Sequence, residues 1–119
     1  MENKPNLIQY VFVPKKPWMS AGKIASQVAH ATFLALRGED KKVIEEWKNN
    51  GMCVIVFQVK NQIELHNVDY YLIQEGLHHD FYCDEGHTEV PAGTMTAIAT
   101  GILNKEKEGW RFEKYKLYW

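Results

Sequence analysis

Cysteine is scarce: Cys53 and Cys83 are the only two in 119 residues. Two thiols cannot build the multi-bridge framework of a small secreted domain. Both lie in apolar runs and read as small core side chains of a reducing compartment. Long hydrophobic runs are missing as well. No stretch reaches the ~20 apolar residues of a membrane span. The polar start MENKPN and the short, mixed LIQYVFV that follows do not form a secretory leader. The expected setting is therefore cytoplasmic and away from membranes. An overall excess of one charge is absent too: the formal net charge is −1, so composition does not mark a general nucleic-acid binder. No GxGxxG, Walker loop or GxSxG elbow occurs. His78, His79, Asp80, Cys83 and His87 lie close together but lack zinc spacing, so neither a metal nor a cofactor is expected. Locally, charge is uneven. Residues 61–93 contain no Lys or Arg and seven carboxylates, whereas residues 1–37 hold five cations against Glu2 alone. Such asymmetry can separate a ligand-facing surface from a solvated one.

The length suits one compact domain over residues 1–119. LIQYVFV (7–13) is β-branched and aromatic and reads as a strand. Pro14 and Pro17 stop it, and Ser20 then offers an N-cap for a helix running to about Arg37, with Gly38 as its end. A short helix is expected over 41–50, ending at Gly51. CVIVFQVK (53–60) is almost wholly apolar, which predicts a central strand buried on both faces. Residues 63–76 carry apolar side chains at helical spacing. Residues 77–84 read as a strand, 85–93 as a turn-rich loop and 94–102 as another strand. Residues 104–111 read as a polar connection, and 115–119 offer an edge strand. This order predicts an α/β fold: a three-layer α/β/α sandwich with a small mixed, mostly parallel sheet of four to five strands. The last strands, joined by short loops, should introduce antiparallel pairing.

Ligands of open α/β sheets bind beyond the carboxyl ends of strands. Two segments leave such ends. The first is SAGKIASQVAHA (20–31). Lys23, Gln27 and His30 are spaced i, i+4, i+7 and share a face, at the border of an apolar stripe of Ile24, Val28, Ala31 and Ala35. The bland reading is a solvated flank with a snorkelling lysine. Against it, Lys23 lies in the first turn, where the helix dipole disfavours a cation by roughly 0.3–1 kcal/mol. Local rules broken without local gain mark candidate functional sites, and an ammonium beside free N–H groups suits an anion or a developing oxyanion. By this reasoning a Lys23→Ala variant should fold at least as well while losing most turnover. The second segment is CDEGHTEVPAGTMT (83–96). Asp84 before Glu85-Gly86 is either a turn-shaping Asx residue or a working carboxylate. Thr88 is either a loop hydroxyl bonded to its own backbone or a site group. Thr94 and Thr96 share one face of a strand by its period of two, which alone says little.

With both segments in view, the chain resembles the type 2 peptidyl-tRNA hydrolases of archaea and eukaryotes. The family's helix motif is G-K-(I/L)-A-x-Q-x-x-H-A, and GKIASQVAHA at 22–31 matches every fixed position. Its second motif runs roughly D-x-G-x-T-x-(I/V)-x-x-G-T-x-T, and DEGHTEVPAGTMT at 84–96 matches in spacing and fixed residues. Gly76-Leu77 also recurs. The resemblance covers residues 7 to about 102. Family members usually carry Arg at the place of His87, Ala-Pro-Gly at that of Pro91-Ala92-Gly93, and a longer element at that of 103–114. The resemblance implies hydrolysis of the ester between a peptide and the 3′ end of tRNA by direct water attack, without covalent nucleophile, metal or cofactor. It implicates Lys23, Asp84, Thr88 and Thr96 in catalysis. Gly22, Gln27, His30, Gly86 and Thr94 would support or contact substrate, and Lys15 and Lys16 would meet tRNA. By the same analogy the protein is expected to be a homodimer. Two other readings share the scaffold: a member that binds RNA or a protein partner without efficient hydrolysis, and a hydrolase of another small acyl ester.

Overall fold

The computed structural model describes residues 6–86 and 89–118. The elements are β1 (Leu7–Pro14), α1 (Ala21–Ala35), α2 (Lys41–Asn49), β2 (Cys53–Val59), α3 (Gln62–Gln74), β3 (His79–Cys83), β4 (Met95–Asn104), α4 (Lys105–Glu108) and β5 (Lys116–Leu117). A 3-10 turn, Gly109–Phe112, follows α4. Side-chain oxygens of Ser20, Asp40, Asn61 and Asn104 cap the four helices and accept otherwise orphaned backbone N–H groups.

The five strands form one mixed sheet in the order β3-β4-β1-β2-β5. The α/β class and mixed sheet are as expected; its mostly parallel character is not. β1 and β2 are parallel, while β1–β4, β3–β4 and β2–β5 are antiparallel. The reason is connection length. The β1-to-β2 link contains α1 and α2 and can cross over, but residues 84–94 can only turn back, so β4 returns against β3 and inserts beside β1.

The alternation of β1 sets the layers. Ile8, Tyr10 and Phe12 pack with Leu65, Val68 and Leu72 of α3. Val11 and Val13 pack with Ala31 and Ala35 of α1 on the other face. Trp47 of α2 closes a third cluster with Leu7 and Ile102. The doubly buried strand is therefore β1, every residue of which is buried, and not β2 as its apolar run suggested. α1 lies over β4, β3 and β1, and Val54 of β2 stays 39% exposed. Residues 104–111 form α4 and the start of the 3-10 turn rather than a loose connection. Asn104 caps α4, and buried Phe112 anchors the turn in the core. The expected edge strand is present as β5, paired with Phe57 and Gln58.

Candidate active site

β1 and β3 both end at the same edge of the molecule. β1 leads through residues 15–19 to the N-terminus of α1, and Asp84 follows the last residue of β3. The sheet order places β4 between those two ends, so the start of α1 lies over the start of the 84–94 turn. Backbone hydrogen bonds close that turn: Asp84 N–H donates to the Thr94 carbonyl at 2.8 Å, and Gly93 N–H to the Asp84 carbonyl at 2.8 Å.

Lys23 and Asp84 meet there. Lys23 Nζ lies 2.5 Å from Asp84 Oδ1, with the two side chains 12% and 6% exposed. Gln27, one helical turn on from Lys23, donates from Nε2 to Asp84 Oδ1 at 3.2 Å and to Thr96 Oγ1 at 2.8 Å. The Thr96 hydroxyl in turn donates to the Tyr82 carbonyl at 3.3 Å. Asp84 Oδ2 accepts the Gly86 N–H at 2.6 Å. Asp84 is thus the turn-shaping Asx residue through Oδ2, while its Oδ1 meets Lys23 and Gln27. The Lys23 hydrogen bond holds its carboxyl below the usual aspartate value. Burial pushes the other way, and the Gly86 and Gln27 bonds add to the lowering.

The profile of a protein family described as Peptidyl-tRNA hydrolase PTH2 matches residues 7–118. A protein of Aeropyrum pernix named peptidyl-tRNA hydrolase is 36% identical over 100 residues, 78% of this chain and 81% of the relative. A Halobacterium salinarum protein of the same name is 35% identical over 83 residues, 70% of this chain and 74% of the relative. A Dictyostelium discoideum protein named probable peptidyl-tRNA hydrolase 2 is 31% identical over 103 residues, 84% of this chain and 49% of the relative. The chain belongs to the peptidyl-tRNA hydrolase PTH2 family.

The residues that carry the family motifs do not all converge on one point. Lys23, Gln27, Asp84 and Thr96 form one connected chain of hydrogen bonds. Gln27 is only 1% exposed, so the polar row of α1 does not stay at the border of the buried face; its middle member goes inside. Thr96 is wholly buried behind Gln27. Thr94 precedes β4, and its hydroxyl donates to the Pro91 carbonyl at 2.7 Å, within its own loop. His30 is exposed and stacks on Tyr82 at 4.4 Å between centroids. Gly86 has φ +83°, and a Cβ there would lie 2.7 Å from the Ala92 backbone nitrogen, so the turn requires glycine. Gly22 meets no such demand: a Cβ would find nothing within 4 Å. Lys15 and Lys16 are exposed on the segment between β1 and α1, with Lys15 Nζ 4.5 Å from the Tyr118 ring centroid. Thr88 and His87 lie outside the described residues. His78 and His79 address separate groups, the Ala35 carbonyl and Asp69, each at 2.8 Å.

In the sequence Glu89 is one acidic residue among the seven of residues 61–93. Its Oε1 accepts the Ser20 backbone N–H at 2.7 Å and its Oε2 the Ser20 hydroxyl at 2.6 Å. These bonds, the hydroxyl's first, hold the Glu89 carboxyl below its usual value. A weak signal existed. The first turn of α1 contains no acidic residue, so an acceptor had to come from elsewhere, but nothing local named it.

Proposed function

We propose that this protein hydrolyses the ester joining a peptide to the 3′ end of tRNA, by direct attack of water, at the Lys23–Asp84 pair. The contact of that ammonium and that carboxylate, each from one of the two motif segments, is the observation that carries the reading. An ionised carboxylate offers about four acceptor sites. Lys23 and Gln27 on Oδ1 and Gly86 on Oδ2 use three, leaving one for a water molecule. The lowered pKa keeps Asp84 ionised and makes it a weak proton acceptor. Its best role is therefore to aim the water and hold Lys23, rather than to act as a strong base.

An ammonium has three donors. One serves Asp84, and the others point charge at the ester carbonyl oxygen as it gains negative charge. Water oxygen bonds to the carbonyl carbon. Collapse of the intermediate breaks the bond to the ribose oxygen, which takes up one proton of the attacking water, while the other is released to solvent. The products are a peptide carboxylate and a tRNA with a free terminal hydroxyl. Gln27 fixes the carboxylate, and Thr96 acts through Gln27 as a positioning residue. Thr88, His30, Gly86 and Thr94 are proposed as further supporting positions on the family pattern.

The proposed setting is the cytoplasm, where aminoacylated tRNA is used, and the proposed assembly is a homodimer of single-domain chains. Exposed apolar side chains such as Phe33 and Phe81 are of the kind dimers bury. Among the described residues no helix is long and apolar enough to cross a membrane. The test is incubation of the purified protein with an N-blocked aminoacyl-tRNA. Release of free tRNA, lost in Asp84→Asn, is expected. No release by the unmodified protein would overturn the reading.

A further inference from the structure

Away from the Lys23–Asp84 pair, lysines from separate parts of the chain converge on one groove. Lys15 follows β1, Lys60 follows β2, and Lys114 and Lys116 flank and enter β5. All four line a groove that also contains Gln58 and Glu64. Glu64 is the one carboxylate among the lining residues, and its Oε2 is engaged by the Lys60 backbone N–H at 2.7 Å. Among the described residues no ion pair engages the ammonium groups of Lys60, Lys114 or Lys116, although Lys23 and Lys48 elsewhere have carboxylate partners. In a chain of net charge −1 this local concentration is not a by-product of composition. Several lysines against the one Glu64 carboxylate leave a local excess of positive charge, which raises the local concentration of anions.

The position of the groove is as informative as its charge. It lies at the ends of β1 and β2, which run parallel, and Lys116 is paired with Gln58 near the end of β2. That is the edge from which β1 leads to α1 and Lys23. Lys15 also lines a second groove with Trp18, Ala21 and Ile24, along the start of α1. The two grooves share Lys15, so a track runs from the lysine groove, across Lys15 and past the 72% exposed ring of Trp18, to the start of α1, the helix that carries Lys23.

We infer that the lysine groove binds the phosphate backbone of the RNA whose 3′ end reaches Lys23 and Asp84, with Lys60, Lys114 and Lys116 as its phosphate contacts. This rests on the proposed hydrolysis for the identity of the RNA, and on the lysine groove alone for its location. Phosphate contacts by lysine release counterions, so binding weakens with salt by about 0.9 in log–log slope for each duplex phosphate neutralised and about 0.7 on a single strand.

The test compares the unmodified protein with a Lys60→Gln, Lys114→Gln, Lys116→Gln triple variant, its fold checked by thermal melting. Three readouts are taken between about 50 and 200 mM salt. They are hydrolysis of N-acetylaminoacyl-tRNA, hydrolysis of the same aminoacyl group on a CCA trinucleotide too short to reach the groove, and binding of deacylated tRNA. For the triple variant the KM for the full tRNA should rise about tenfold or more at the low end, and the salt slope should fall by about 2–3. Its kcat and its rate on the trinucleotide should match the unmodified protein. An unchanged KM and slope in the variant would overturn the groove while leaving the hydrolysis intact. If the unmodified protein hydrolyses neither substrate, the functional reading fails. Deacylated tRNA then still decides the groove: weaker binding by the variant supports it, and equal binding rejects it.

Discussion

Glu89 takes both the backbone N–H and the hydroxyl of Ser20, at 2.7 and 2.6 Å, across 69 positions of sequence. In a capping box the glutamate at the third helical position reaches back to the N–H of the cap residue. Here that third position is Lys23, whose own N–H donates to Ser20 Oγ at 3.3 Å. Glu89 supplies the missing carboxylate from the loop after β3, which leaves the third position open to a cation. The same contact ties the loop that carries Asp84 to the helix that carries Lys23.

Glu89→Ala should therefore loosen the Lys23–Asp84 pair without touching substrate. A displacement of order 1 Å costs up to about a hundredfold in rate, so kcat should fall by about tenfold to a hundredfold with little change in KM. The pKa of Glu89 is lowered in the fold, so the clasp is intact above the ordinary glutamate value of 4.5 and is lost as pH falls through the lowered folded value. The Ser20 amide resonance, followed during acid titration, should shift with a midpoint below 4.5. A midpoint at or above that value would contradict the clasp.

Lys23→Ala should lose most turnover and also fold less well, the reverse of what the helix-dipole argument predicts. Removing the cation from the first turn returns roughly 0.3–1 kcal/mol. Against this, Asp84 is only 6% exposed and would lose its ionic partner. Breaking a fully buried pair costs about 3–5 kcal/mol. Gly86 and Gln27 still donate to the carboxylate, so a net loss of about 1–3 kcal/mol is expected in urea unfolding. The folded pKa of Asp84 is lowered, so the pair's contribution is present above 3.8 and is lost as pH falls through the folded value. The variant should show a shallower loss of stability on acidification.

Thr96→Val and Thr96→Ser should separate positioning from packing. Thr96 Oγ1 accepts from Gln27 and donates to the Tyr82 carbonyl, all in the interior. Valine leaves both partners short of a bond, at about 1–3 kcal/mol of stability. It should lower kcat at saturating substrate while KM holds. Serine keeps the hydroxyl and should restore kcat. Equal kcat in the two variants would remove Thr96 from the proposed machinery.

Gly22→Ala should stabilise the fold and impair the enzyme. Gly22 lies in α1 with open space where a Cβ would be, and exposed helical glycine costs roughly 0.5–1 kcal/mol relative to alanine. Thermal melting should show the gain. Steady-state rates should show a raised KM, because the added methyl stands beside Lys23 where substrate approaches. An unchanged KM would make Gly22 a bystander.

Much of this protein was legible in local pattern. The strand and helix order followed from apolar periodicity, from Ser20 as a cap and from Gly38 and Gly51 as stops, because those signals act within a few residues. Lys23 stood out because it breaks a rule of the first helical turn, and Asp84 because it sits between a strand and Gly86. The family motifs tie the two together. What local pattern could not contain was partnership across the chain. The parallel or antiparallel sense of β4, the uncovered flank of β2, the burial of Gln27 and Thr96, the Ser20–Glu89 clasp and the meeting of Lys60 with Lys116 each depend on which strand inserts beside which. That choice is made by packing of the whole core. The chemistry of each side chain was therefore written in the sequence, and its company was decided only by the tertiary fold.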